Sequence, residues 1–144
     1  MDPTNAVVKL CAQGMEAEGR GNGTEATKLF AQAWAQGTND FERCIAAHYV
    51  ARHQPTAELS LRWNQEALDC ASRVADGSVA GFLASLYLNL GKSNEDLEND
   101  DEARRLYECA AGELKSVPAG AYRDIVQDGI NRGLRRVRPS RKRN

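Results

Sequence analysis

Few side chains in this 144-residue sequence could do chemistry near neutral pH, since it has only two histidines and four cysteines. Cys44 and His48 are four residues apart, so a helix would place the thiol and the imidazole on one face, as a Cys–His nucleophile requires. The sequence offers no evident group to orient that imidazole. His48 and His53 are five residues apart and would not share a helix face as a metal-binding pair does. We therefore expect no catalytic residue, no metal site and no cofactor, and we do not predict an enzyme.

Two further segments have compositions that can bind ions. In "EGRGNGTEATKLF", glycines at positions 19, 21 and 23 precede a helical pattern, as in loops that bind phosphate at a helix N-terminus. The segment before these glycines is helical rather than a strand, and the Lys-Ser/Thr ending of a P-loop is missing. The glycines are thus predicted to join two helices, with Thr24 capping the second. The acidic run 95–102 lacks the glycine and glutamate spacing of a calcium loop and is predicted to be a solvent-exposed turn.

The composition is that of a soluble globular chain, with 42% hydrophobic and 27% charged residues. Residues 1–118 contain 11 Lys/Arg and 18 Asp/Glu, whereas residues 119–144 contain 8 and 2. No apolar run is long enough to span a membrane, and the first residues do not resemble a signal peptide. The cysteines are widely spaced, without a C-x-x-C pair, and are expected to be reduced. We therefore expect a cytoplasmic protein.

Apolar residues recur at helical spacing along most of the chain, and alternating strand patterns are scarce. The last of the predicted helices would place one apolar face against the core, formed by Tyr122, Ile125, Val126, Ile130, Leu134 and Val137. The pattern predicts seven helices, at 5–18, 24–35, 41–51, 56–75, 79–97, 100–117 and 121–137.

Small and aromatic residues recur at fixed distances in the first and third helix pairs. The third pair reads Tyr87-x-x-Leu90-Gly91, followed by Ala103 and Tyr107. Twelve residues separate Gly91 from Ala103, and the same distance separates Gly14 from Ala26 in the first pair. A further 34 residues lead from Ala26 to Ser60 in the second pair, which has His48 in place of a small residue. This pattern resembles the tetratricopeptide repeat (TPR) family, in particular its short bacterial members with three repeats.

The resemblance implies an all-α, TPR-like α-solenoid of three antiparallel helix pairs and a C-terminal capping helix. The helical domain would cover residues 1–137, with repeats at about 7–40, 41–83 and 84–117, the capping helix at 121–137 and a basic tail at 138–144. Nine extra residues in the middle repeat would lie in a longer second helix and the turn that follows it.

In TPR proteins the first helix of each pair lines a concave face that binds a segment of a partner. The residues that bind chaperone tails in that family are absent here, since Cys11, Met15, Ala46, Ser85 and Asn89 stand at their positions. The resemblance therefore implies a non-catalytic protein-interaction module or adaptor that binds another protein or a peptide segment. It implies no membrane partner, and it allows the chain to form a homodimer. The partner-binding residues would be Ile45, Tyr49, Arg52, Leu88, Asn89 and Lys92.

The C-terminal sequence "RGLRRVRPSRKRN" suggests an alternative, because seven of its 13 residues are basic. Such a segment can bind nucleic acid or another anionic surface through phosphate contacts. It lacks the interleaved aromatic residues that stack on bases. Binding through this basic C-terminal arm is therefore the second hypothesis.

Overall fold

The computed structural model describes residues 2–139 and is built of α-helices, with no β-strand in that range. The all-α class is confirmed. The described residues form seven α-helices: α1 (Ala6–Gly19), α2 (Gly23–Gln36), α3 (Asp40–Val50), α4 (Ala57–Ser72), α5 (Leu83–Asp96), α6 (Asp100–Glu113) and α7 (Ala121–Val137). Short 3-10 turns occupy Ala51–His53, Ala80–Phe82 and Leu114–Ser116. No helix among residues 2–139 is long and apolar enough to cross a membrane.

Asparagine side chains begin the first three helices. Asn5 accepts hydrogen bonds from the backbone of Val7 and Val8, and Asn39 accepts one from the backbone of Glu42. The cap of α2 is Asn22, whose side chain accepts from the backbone N–H three residues ahead at 3.1 Å. Thr24 as the cap of α2 is therefore wrong, because the helix starts earlier and Thr24 lies in its first turn.

The chain divides into two compact units, one ending at Val79 and the other beginning at Ala80. In unit 1, α1 and α2 form an antiparallel hairpin in which the buried ring of Phe30 lies on Gly14. A Cβ atom on Gly14 would lie only 2.2 Å from Phe30 Cε1, so only glycine fits under the ring.

Helix α3 lies beside α1 in unit 1 and runs in the same direction. Asn5 Nδ2 donates to Glu42 Oε2 at 2.8 Å near one end, and Arg52 donates to Glu18 near the other. Helix α4 returns antiparallel to α3. Its contacts include Arg73 Nε with Asp40 Oδ1 at 3.1 Å, and the edge-to-face rings of Trp34 and Trp63, 4.9 Å apart, join α2 to α4.

Unit 2 repeats this arrangement with α5, α6 and α7. A Cβ atom on Gly91 would lie 2.9 Å from the ring of Tyr107, so in α5 and α6 too a glycine lies directly under an aromatic ring. Helix α7 runs parallel to α5 and antiparallel to α6, where Arg104 Nη1 donates to the carbonyl of Val137 at 3.0 Å. Core side chains of unit 2 form two clusters, one of Ala84, Ala110, Leu114, Val117, Val126 and Ile130 and one of Ala103, Tyr107 and Val137.

The α1–α2 and α5–α6 hairpins share their internal construction. In both, the residue before the second-helix cap has a left-handed backbone, with φ 78° at Gly21 and 63° at Glu98. In both, the backbone N–H of the capping asparagine donates to a carbonyl oxygen at the end of the first helix at 2.8 Å. Asn22 donates to Ala17, and Asn99 donates to Asn94. Equivalent positions are 77 residues apart throughout, as for Gly14 and Gly91, Ala26 and Ala103, and Phe30 and Tyr107.

Helix α7 also has a counterpart in unit 1, namely α3. Equivalent positions of α3 and α7 are 84 residues apart in the sequence. The equivalence rests on the two arginines that bind the end of the preceding hairpin, Arg52 and Arg136. In unit 1 the α4-facing side of α3 and of the 3-10 turn that follows it is buried at Cys44, Ala47 and Ala51. The equivalent residues of α7 are Asp128, Asn131 and Arg135, and all three are exposed.

Candidate functional site

In unit 1, two of the predicted partner-binding residues lie in the packed interior. Ile45 is 1% exposed and Tyr49 is 8% exposed. The ring of Tyr49 stacks on Phe30 with 5.3 Å between centroids and meets His48 edge-on. These side chains therefore hold α3 on the first hairpin and leave little surface for a partner.

Arg52, the third predicted residue of unit 1, is exposed but bound within the unit. Its Nε and Nη2 atoms donate to Glu18 at 3.1 and 3.0 Å, and its guanidinium lies 5.7 Å from the ring centroid of Tyr49. His53 Nε2 lies 2.6 Å from Glu18 Oε2, so this nitrogen carries the hydrogen that the carboxylate accepts. Glu18 thus binds both side chains at the end of α3.

A second carboxylate does the same in unit 2. Arg136 Nε and Nη2 donate to Glu95 at 2.7 and 3.1 Å, and the Tyr107 hydroxyl donates to Glu95 at 2.7 Å. The hydrogen bonds from Arg136 lower the pKa of Glu95, and burial raises the pKa of the Tyr107 phenol. The carboxylate is therefore charged and the phenol protonated at neutral pH, as a fixed structural contact requires.

The predicted residues of unit 2 lie on α5, next to α7. Leu88 is half-buried, and a Cβ atom on Gly129 would lie 3.1 Å from its Cδ2 atom. Asn89 is half-buried, whereas Lys92 is exposed and donates to Asp96 at 2.6 Å. These three residues therefore share one side of α5, bordering α7.

Two large apolar residues of α7 are exposed beside them. Ile125 is 71% exposed and Tyr122 is 47% exposed, so placing both on the buried face of α7 is wrong. The buried face is centred on Val126, Ile130 and Val137, and Ile125 lies about 100° from Val126 around the helix axis. Ile125 instead shares a helix face with Gly129, four residues later and next to Leu88.

We name this surface of unit 2 the α5–α7 face. The two helices meet along a seam whose contacts include a hydrogen bond between the Ser85 and Tyr122 hydroxyls, the packing of Leu88 on Gly129, and the pairing of Glu95 with Arg136. The face comprises Leu88, Asn89, Lys92, Tyr122, Ile125, Arg132 and Arg136.

Comparison of the chain with protein-family models, curated proteins and solved structures gave no match.

Cys44 and His48, the pair considered as a possible nucleophile and base, are both buried. Burial raises the pKa of Cys44 to about 12. Burial first, and then the charge of Arg52, lowers the pKa of His48 to about 4. At neutral pH the thiol is protonated and the imidazole is neutral, so the pair lacks the thiolate that attacks substrates. Within residues 2–139 no group of three or more His, Cys, Asp or Glu side chains is placed to hold a metal ion.

The basic tail predicted at 138–144 falls mostly outside the described residues, which end at Pro139. Of the arginines just before it, Arg136 is bound to Glu95 and Arg132 Nε lies 3.0 Å from Asp128 Oδ2. Nucleic-acid binding through this arm stays a prediction.

Proposed function

We propose that this chain is a TPR-like helical-repeat module that binds a segment of a partner protein and catalyses no reaction. The observation that carries the proposal is the α5–α7 face, where Ile125 and Tyr122 of α7 are exposed next to the parallel helix α5. Exposed large apolar side chains within a polar surround are typical of protein-interaction surfaces.

The repeated construction supports the TPR-like part of the proposal. Two hairpins of the same design, each followed by a helix parallel to its first helix, are what stacking of helix pairs in a solenoid requires. The charged outer side of α7 suits a helix that caps such an array, because Asp128 and Arg135 could not be covered by another hairpin without burying charge. We accordingly propose three repeats and a cap.

The cysteine chemistry supports a cytoplasmic location. All four cysteines are free thiols, and Cys11, Cys44 and Cys70 are buried. Reduced cysteines of this kind are typical of proteins in a reducing compartment.

The test is a site-specific photo-cross-link in the full chain. A photoreactive residue in place of Ile125 should cross-link one defined partner protein at one segment in cells. The same residue in place of Glu108, which is exposed on α6, is the control and should give no such product. Equal cross-linking from both positions would contradict the proposal. Tyr49 and Arg52 are unsuitable for this test because replacing them would disturb the packing of α3.

A further inference from the structure

The α5–α7 face has its charges arranged asymmetrically about the seam. Lys92 pairs with Asp96 on α5, and Arg132 pairs with Asp128 on α7. In an α-helix, a step of four residues turns the side chain by about 40°. Since Leu88 faces α7 and Gly129 faces α5, each cation lies nearer to the seam than its own carboxylate partner does.

The carboxylate that does lie at the seam is already neutralised. Glu95 accepts two hydrogen bonds from Arg136 and one from Tyr107, so it adds no free negative charge to the surface. Lys92, Arg132 and Arg136 are all exposed there. Because Arg136 is the partner that neutralises Glu95, the cations that the C-terminal half of the seam presents are Lys92 and Arg132.

Apart from the paired Ser85 and Tyr122 hydroxyls, the N-terminal half of the same seam presents the apolar side chains of Leu88 and Ile125 and the ring of Tyr122. Tyr122 and Ile125 lie in the first turns of α7, and Leu88 lies in the first half of α5. Because the two helices are parallel, the apolar halves of both lie together and so do the cationic halves. A molecule lying along the seam would meet apolar side chains first and then the two cations Lys92 and Arg132.

We propose that the α5–α7 face binds a protein segment in which apolar residues are followed by carboxylates, and this inference rests on the proposed function. The apolar residues of the segment pack on Ile125 and Leu88. Its carboxylates pair with Lys92 and Arg132, which exchange their exposed intrahelical partners for those of the segment. Both intrahelical pairs are solvent-exposed, so little is lost in that exchange. Complementary charge of this kind chiefly sets specificity and the rate of association.

The test uses two fluorescent peptides that share one apolar half and differ in the other, which is acidic in one peptide and basic in the other. Fluorescence anisotropy with the full chain should show the acidic peptide binding about tenfold more tightly. This preference should shrink as salt is added, because exposed charges are screened. Equal affinity for the two peptides, or binding of neither, would overturn the inference.

Charge-reversal variants show whether this surface is responsible. Lys92→Glu combined with Arg132→Glu should weaken binding of the acidic peptide about tenfold and strengthen binding of the basic one. Arg135→Glu makes the same change in net charge as Arg132→Glu alone, but on the outer side of α7, and should leave both affinities unchanged. An equal effect of Arg135→Glu would mean that overall charge, and not the seam, attracts the peptide, and the inference would fail.

The apolar half of the seam is tested with Ile125→Ser, which should weaken the binding of both peptides to the same extent. Met15→Ser, at an exposed apolar residue of α1, should weaken the binding of neither peptide.

Two results would identify a different occupant of the α5–α7 face. Self-association that Ile125→Ser abolishes would identify a second copy of the chain, and displacement of the acidic peptide by a duplex oligonucleotide would identify nucleic acid. Either result overturns the inference. Loss of charge preference with the photo-cross-link at Ile125 retained would leave the proposed function standing, whereas loss of the cross-link would remove both.

Discussion

Replacing Gly14 with alanine tests the packing of the α1–α2 hairpin directly. The new Cβ atom would lie 2.2 Å from Phe30 Cε1 and 2.7 Å from Cδ1, whereas carbon atoms in contact prefer about 3.5–4.0 Å. The ring would have to move by more than about 1 Å to restore that distance. It is buried between Gly14, Tyr49 and His53, with ring centroids 5.3 and 5.8 Å away, so it cannot move without shifting α3.

Two opposing effects set the size of the change. Alanine is favoured over glycine inside a helix by about 1 kcal/mol. Overpacking of a buried site costs about 1–3 kcal/mol, and a contact this short belongs at the upper end of that range. We therefore expect Gly14→Ala to lower the free energy of unfolding of unit 1 by about 2 kcal/mol.

Urea unfolding followed by tryptophan fluorescence is the suitable assay, because Trp34 and Trp63 both lie in unit 1. Gly19→Ala on the same helix is the control. A Cβ there meets no atom within 4 Å, so this variant should be neutral or gain up to about 1 kcal/mol. In a Phe30→Leu background the cost of Gly14→Ala should become smaller, since leucine can vacate the space. If Gly14→Ala unfolds at the same urea concentration as Gly19→Ala, the proposed packing of glycine under the ring is refuted.

Other substitutions probe a helix cap, the buried histidine and the core of unit 2. Asn22→Ala should lower the free energy of unfolding by about 1 kcal/mol while Thr24→Ala changes it little, as urea titration would show. The lowered pKa of His48, about 4, means that the unfolded chain binds a proton that the folded chain excludes. The contribution of His48 to the free energy of unfolding is therefore fully present above the unfolded pKa of 6.5, and it falls by about 1.4 kcal/mol per pH unit between pH 6.5 and pH 4. His48→Gln should reduce this slope, as measured by urea titrations at several pH values. Gly133→Ala would place a Cβ atom 2.5 Å from Tyr107 Cζ and should lower the thermal midpoint, whereas Gly112→Ala, with no atom within 4 Å, should not.

The helices could be predicted from the sequence because each buries a stripe of apolar residues. The bounds of α7 agree with the prediction, since its periodic pattern begins after Gly120 and ends just before Pro139. The predicted end of α6 is too late, because Leu114 and Val117 continue the buried pattern through a 3-10 turn. Burial at regular spacing thus locates helical segments but does not distinguish an α-helix from the turn that follows it.

The candidate site was less accessible to sequence reasoning. Which side of a helix is covered depends on helices far away in the chain, and α3 contacts α1, α2 and α4, so Ile45 and Tyr49 are buried. Among the described residues, the main contacts of helix α7 are with α5 and α6. The side of α7 that carries Ile125 is therefore left exposed. The contact between Glu18 and Arg52 spans 34 residues and has no local pattern. A usable signal was the recurrence of Glu18 as Glu95, at the same distance of 77 residues as the glycines of the hairpins.

The outer surface of α7 bears on how long this protein can become. Tandem duplication of a coding segment readily lengthens chains of stacked helices, but a hairpin appended after α7 would have to cover Asp128 and Arg135. Asp128 is paired with Arg132 only at the exposed surface, and removing such charged groups from water costs several kcal/mol per ion, so such an extended product would be disfavoured. A designer who wished to add a hairpin after α7 would first give α7 side chains as small and uncharged as those at Cys44, Ala47 and Ala51.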